Sequence, residues 1–488
     1  LNNSGNDFTG AVTVVSGKNV SLRDTNAMEL GASTISGTLT LVTGGDLTQS
    51  GALDANSTTR ITAGTNNIVL TNTSNDFTGA VTVVSGAAVS VTDTNALSMG
   101  TIAASGDQAI TSGGDLSLTG DITKSSGGDA TATYKADDAI IFSNLVDMTS
   151  SSNKLNIILW ADADSDGGYI RMPFNHTISS NGGHIWMGGG DGSTTWNSLT
   201  VGDDYALGTA ANSSGIFFGM TDLDSDGGHI ALYGTGRNGA ASASNVTAGV
   251  YLYDIDNTID SGTGTVLIDG VGQGDNATAS GVLIGGNLMG GGMSVVTSAA
   301  TSGDAITIVG TGSTQAANSD GTVMDWYSQV TATGGGNIVF DGTRNGTGDA
   351  LSLINMGAVI NAGAGDLTIT GDAFSSAGTI QGTGALLIQP KTANTTIALG
   401  VASGTLRLTG SDFTDGFSGI TVGKADAGAI TTNISTFDDD LTLLNDSTIA
   451  FNGAFTVRGN LTITSGGAIT QTGALDINGT TSITAGSG

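Results

Sequence analysis

The phrase NDFTGAVTVVSG fills residues 6–17 and returns unchanged at 75–86, 69 residues on. The match runs further. NVSLRDTNAMELG at 19–31 reads against AVSVTDTNALSMG at 88–100, and LNNSGNDFTG at 1–10 against LTNTSNDFTG at 70–79. Much later, LTLVTGGDLTQSGALDANSTTRITAG at 39–64 is answered without a gap by LTITSGGAITQTGALDINGTTSITAG at 461–486. Self-similarity at a fixed period marks a repeat architecture, in which each unit is too small to bury its own apolar face and stacks on its neighbours to do so. Within the 69-residue unit, the stretches 6–31, 32–55 and 56–74 each hold two or three short strand patterns between Gly, Asn, Asp and Ser. AVTVV, TLTLV and RITA alternate, one side chain in and one out.

A step of about 20 residues with three short strands and glycine turns is one rung of a β-solenoid, stacked at roughly 4.8 Å. Parallel crossovers are overwhelmingly right-handed. The expected fold is therefore all-β, a right-handed parallel β-helix of roughly 20–25 rungs with almost no helix. Composition agrees. Of 43 acidic residues only Glu29 is a glutamate, and Lys and Arg together number 13. Asp, Asn and Gly serve turns, whereas Glu and Lys serve helices. Val14, Leu41, Ile61 and Val83 are expected to point inward, and the two copies of NDFTGAVTVVSG to sit at the same angular position three rungs apart, Phe77 over Phe8.

The middle of the chain differs. All three His, three of four Trp and six of seven Tyr lie between 134 and 258. GGYIRM at 167–172, GGHIWM at 182–187, GGHIAL at 227–232 and GGNIVF at 335–340 keep the rung signature. Three sections follow: regular repeats over 1–130, a decorated solenoid bearing aromatics and His over 131–345, and regular repeats over 346–488.

The net charge of −30 and pI of about 4.1 leave no basic face for nucleic acid. With no Cys there is neither a disulfide framework nor a thiolate zinc site. No apolar run approaches the roughly 18 residues of a membrane span. Leu1 begins inside a repeat, so the chain reads as a piece of a longer array.

The sharpest local motif is DADSDGG at 162–168 and DLDSDGG at 222–228. Asp162, Asp164 and Asp166, and again Asp222, Asp224 and Asp226, have the alternating spacing that gathers carboxylates around a hard cation such as calcium. The helix-loop-helix version fails at its twelfth position, where Pro173 and Tyr233 stand. An acidic solvated turn is the plainer reading. The two loops, 60 residues apart, are expected to line one edge. His184 and His229 each follow Gly-Gly; they read as a metal pair or, more simply, as outward strand residues interchangeable with Tyr169. Trp160, Trp186 and Trp196 read as a stacking platform for sugar rings or as plugs for wide turns. Arg171 near the first Asp loop is the only base a polysaccharide-cleaving site would find. No catalytic residue is therefore assigned, no cofactor beyond calcium is expected, and carbohydrate-binding residues stay unassigned.

GDLTQSGALDANSTTRITAG and NVSLRDTNAMELG resemble the repeats of filamentous-haemagglutinin-like proteins, very large bacterial surface proteins secreted through outer-membrane β-barrels. The resemblance covers 1–130 and 360–488 closely and the middle loosely. It implies a non-catalytic extracellular shaft segment serving adhesion and cell-surface contact. Its partners would be neighbouring repeats or other copies end to end, and glycans or proteins of another cell. The alternatives are a self-assembling subunit of an extracellular fibre or surface layer, and a polysaccharide-binding or polysaccharide-cleaving β-helix.

Overall fold

The computed structural model describes residues 1–488 apart from 240–245, 254–255, 276–278, 286–291, 356, 401–403, 409–411, 415, 434 and 487–488. The chain divides into two compact units, Leu1–Gly234 and Thr235–Gly488. Each is a parallel β-helix, and the described residues contain no α-helix.

In the first unit a rung holds three short strands. Leu39–Thr43, Leu47–Gln49 and Leu53–Ala55 make one, lying over Val20–Asp24, Met28–Leu30 and Ser33–Ile35. Val20–Asp24 pairs in parallel with Leu39–Thr43 at all five residues, and Leu39–Thr43 with Thr59–Thr62. This stacks Leu22, Leu41, Ile61 and Val83 on one another, and all four are buried. The alternation read from sequence thus becomes a dry interior column. Val14 is only half-buried, unlike its counterpart Val83.

The second unit is built on a ladder running from Val266–Val271 to Thr481–Ala485. Ile268, Ile308, Phe340, Ile369, Ile388, Val422, Leu443 and Ile463 form its inner column, none more than 2 % exposed.

Two sequence features acquire causes here. The residue before a strand is repeatedly Asp or Asn, and its side-chain oxygen takes the backbone N–H at the same point one rung on. Asp46 Oδ1 accepts from Asn67 N (2.9 Å) and Asn67 Oδ1 from Ala88 N (3.2 Å). Asp121, Asp147 and Thr177 form such a chain, as do Asp440, Asn460 and Thr480. With rungs about 4.8 Å apart, the short Asp or Asn arm reaches the next backbone; a Glu arm overshoots. Near-exclusive use of Asp is thus a property of the stacking. The Gly-Gly turns have a steric cause: a Cβ on Gly44 would lie 2.2 Å from the Thr25 carbonyl oxygen, and one on Gly113 2.4 Å from that of Thr94.

The long repeat is explained and corrected. In both copies the buried Asp of DTNA receives the Phe N–H of NDFTG from the preceding rung. Asp24 Oδ2 accepts from Phe8 N (3.1 Å) and Asp93 Oδ2 from Phe77 N (2.8 Å), while the other oxygen closes the turn onto Asn26 or Asn95. The copies do not share a face, however. Val12 bridges Leu30, in the ladder of Met28–Leu30, Leu47–Gln49, Ile68–Leu70 and Val89–Asp93, which we term the long ladder of this unit. Val81 pairs instead with Thr59 and Met99, on the face of Leu22 and Leu41. Three rungs, Leu22 to Val83, consume 61 residues, so a 69-residue period overshoots by one face.

Rungs also lengthen through the middle. The column Ile122, Met148, Ile178, Leu223 advances by 26, 30 and 45 residues. Eighteen strands make up the long ladders of the two units among the described residues, with the Val12 bridge ahead of the first, and the lengthened rungs set the count near the lower end of the roughly 20–25 expected.

Candidate functional site

The 45-residue rung of the first unit carries the largest departure from the solenoid. The strand Ile185–Trp196 begins in the long ladder, where Ile185, Trp186 and Met187 pair with Ile157, Ile158 and Leu159 on one side and Ile230, Ala231 and Leu232 on the other. It then leaves the helix and returns antiparallel as Leu199–Asp204, with Trp196 facing Leu199 and Gly189 facing Asp204. The turn between them is Asn197-Ser198, both at positive φ (45° and 65°). A two-residue hairpin turn requires that backbone, and Asn adopts it readily. Hydrogen bonds from Trp160 Nε1 to Gly190 O (2.7 Å) and from Gly190 N to Asp162 O (3.1 Å) fix the arm at its base.

The first Asp loop lies at that base. Asp162, Asp164 and Asp166 bring one carboxylate oxygen each within 4.8 Å of the others. Asp162 is buried, sits at φ 52°, and accepts the Gly167 N–H on Oδ1 (2.7 Å). Burial pushes its carboxyl up to about 6; Asp164, Asp166 and Asp204 add repulsion, and the Gly167 N–H pulls the other way. Asp137 and Asp138 are raised as well, by burial first and by Asp164 and Asp166 among their neighbours. The loop could hold a hard cation on three carboxylates.

The second Asp loop is built differently. Asp222 and Asp224 lie in the strand Thr221–Asp224, which pairs with His176–Ser179, and Asp224 Oδ1 accepts the Asp226 N–H (2.8 Å). The carboxylates found within 4.8 Å of one another among the described residues are those of the first loop. SDGGH at 225–229 stacks on SNGGH at 180–184, with Asn181 and Asp226 at matching positive φ and Ser180 N bonded to Asp224 O. The two Asp loops therefore occupy different faces and do not line one edge. Tyr169 is likewise not a third copy of His184 and His229, because it precedes Ile170–Met172, which pairs with Ile140 and Ile216.

His184 and His229 do stack, at 5.0 Å between centroids and 7° between planes. The His229 backbone N–H donates to His184 Nδ1 (2.9 Å), which leaves Nε2 as the ring nitrogen His184 could offer a metal. Burial holds both below the ordinary imidazole range, and mutual repulsion and Lys154 add to this at His184. His176 is a buried brace whose Nδ1 meets Val146 O at 2.8 Å.

The tryptophans divide. Trp160 is buried with Lys135 Nζ 4.1 Å over its ring, and Trp186 is buried in the ladder. Trp196 is half-exposed at the arm's tip, edge-on to His184. Between arm and ladder lies a pocket of about 300 Å³, lined by Trp186, Trp196, Tyr205, Tyr233, Asp203 and Asp204. Sequence reasoning named the two Trp but missed Tyr205, Tyr233, Asp203 and Asp204. The signal that finds them is TWNSLT, an Asn-led two-residue turn between alternating runs. Arg171 lies 5.7 Å from the Phe217 ring. In the second unit a wider pocket of about 640 Å³ carries Arg344 and Arg407, whose guanidinium groups are bonded to carbonyls of their own loops.

Among the described residues no helix is long and apolar enough to cross a membrane, which leaves β-barrel insertion unaddressed. The chain is similar to a family described as repeats of unknown function (DUF5649), matched at residues 17–84, 86–155 and 438–488. No curated protein and no solved structure matches it. The matched stretches are regular rungs; the Asp162 loop and the arm lie outside them.

Proposed function

We propose that this chain is a non-catalytic shaft segment of a very large secreted bacterial surface protein, lying outside the cell and serving surface contact. The observation that supports it best is the repeated rung. Within each unit, parallel strands stack in register on a continuous apolar column, and near-identical rungs recur at both ends of the sequence. Such a column lengthens by adding rungs at little cost in design, which suits a spacer and not a single cleft. A non-catalytic role accords with the placement of the acids: many of them accept backbone N–H groups of the next rung. Calcium is the one cofactor kept with this reading, at the Asp162 loop. Kinship with the filamentous-haemagglutinin-like proteins rests on the repeat phrases.

The test is surface labelling of intact source cells with antibody raised against residues 1–488, together with the length of the parent reading frame. Labelling without permeabilisation and a frame of thousands of codons carrying more 69-residue copies are expected. Labelling only after permeabilisation overturns the reading. A short frame whose product polymerises overturns it in favour of a fibre subunit.

A further inference from the structure

We infer that the pocket between the arm and the long ladder of the first unit binds a neutral glycan through one or two pyranose rings. This deepens the surface-contact reading and rests on it for the setting alone.

The pocket's volume, about 300 Å³, sits at the small end of ligand sites. Its apolar surface is aromatic. Trp196, Tyr205 and Tyr233 are half-exposed. Tyr205 meets Tyr233 edge-on at 5.7 Å, and Tyr233 meets Trp186 at 6.2 Å. These rings pack edge-on or tilted on one another and, with Trp196, make the apolar wall against which the C–H side of a sugar ring would lie. An organic ammonium ion would instead need rings spread around it as a cage.

The polar surface complements hydroxyl groups. Asp203 Oδ1 accepts the Gly192 N–H (3.1 Å) and Asp204 Oδ1 the Tyr205 N–H (2.8 Å). One oxygen of each carboxylate is thereby held in place, and Oδ2 takes no hydrogen bond from the described residues. Thr194 and Thr195 also line the wall. Carboxylate oxygens fixed by backbone bonds accept strongly from sugar hydroxyls, because bonds to a charged acceptor are the strong ones. Aromatic faces and anchored acceptors together fit a polyol ring better than a purely apolar ligand or a simple ion.

Charge selects among glycans. Among the described residues no Lys, Arg or His lines the pocket, and Asp204 is close enough to the Asp162 loop to disfavour ionisation there. A uronate, sialic acid or sulfated sugar would enter a site with no counter-charge, beside several carboxylates.

The full chain is tested on an array of neutral and acidic bacterial and host glycans, and hits are quantified by calorimetry. A neutral glycan should bind. Trp196→Ala and Asp203→Asn should each weaken it at least tenfold, Trp196→Phe should restore most of the affinity, and the uronate form of the hit should bind at least tenfold worse. Circular dichroism and the thermal midpoint verify folding of each variant, and Asp203→Asn keeps an Oδ1 acceptor for Gly192. The proposal is overturned by the absence of any neutral hit, by a hit indifferent to Trp196→Ala, or by tetramethylammonium displacing the glycan at equal or better affinity. Binding that persists while intact cells fail to label overturns the surface setting and leaves the site. Labelling without binding does the reverse.

Discussion

Asp162→Asn isolates the electrostatic cost of the loop at the arm's base. The wild-type carboxyl is raised from 3.8 to about 6, chiefly by burial and then by Asp164, Asp166 and Asp204. The folded state therefore holds this proton more tightly than the unfolded chain. Its contribution to stability is fully present below the unfolded value and is lost as pH rises through about 6. A shift of about two pH units at 1.36 kcal/mol each gives an ionisation cost of about 3 kcal/mol at pH 7, about 1.6 at pH 5 and about 0.5 at pH 4. Asn is neutral throughout, keeps an oxygen for the Gly167 N–H, and tolerates the φ of 52° at this position. In calcium-free buffer the variant should be more stable than wild type by about those amounts, the gap closing as the pH falls. The measurement is hydrogen exchange in urea at the Gly167 and Gly190 amides, corrected for intrinsic rates, since a repeat array need not unfold in one step. A variant less stable than wild type at pH 7, or a gap that does not change with pH, refutes the reasoning.

Three further outcomes are expected. Millimolar calcium should protect the rung around residues 155–168 in wild type, an effect that Asp164→Ala removes and Asp224→Ala leaves intact, because the carboxylates of the first triad lie within 4.8 Å of one another; protection surviving Asp164→Ala places the ion elsewhere, and none in wild type leaves an acidic turn. Asp93→Ala strips the Phe77 and Asn95 N–H groups of their buried acceptor and should cost about 2–4 kcal/mol in urea unfolding, against less than about 0.5 for an exposed Asp such as Asp476. Ile61→Ala, at 0 % exposure in the inner column, should cost about 2–5 kcal/mol, read as a lower urea midpoint, and a cost under about 1 would mean the column closes around the gap.

The phase of the repeat shows where local reading stops. NDFTG and DTNA meet identically in both copies because that contact spans one rung, and its hydrogen bonds depend only on nearby residues. The face on which they meet depends on every residue count in between. Asp162–Asp166 and Asp222–Asp226 teach the same lesson at the site. Their spacing is alike, but one follows a strand of the long ladder and the other lies within a strand of a different face.

The amino-acid sequence by itself determined the solenoid, its inward columns at Leu41, Ile61 and Val83, its glycine turns, and its want of helix. Those features arise from alternation and turn chemistry within a single rung. The tertiary structure alone decided that successive 69-residue copies rotate by a face, that three of six candidate aspartates converge, and that Trp196, Tyr205 and Tyr233 share a pocket with Asp203 and Asp204. Such placements are sums over whole rungs whose lengths run from 18 to 45 residues in the first unit. A one-strand change in that sum moves a side chain to another face of the helix while leaving its local pattern untouched.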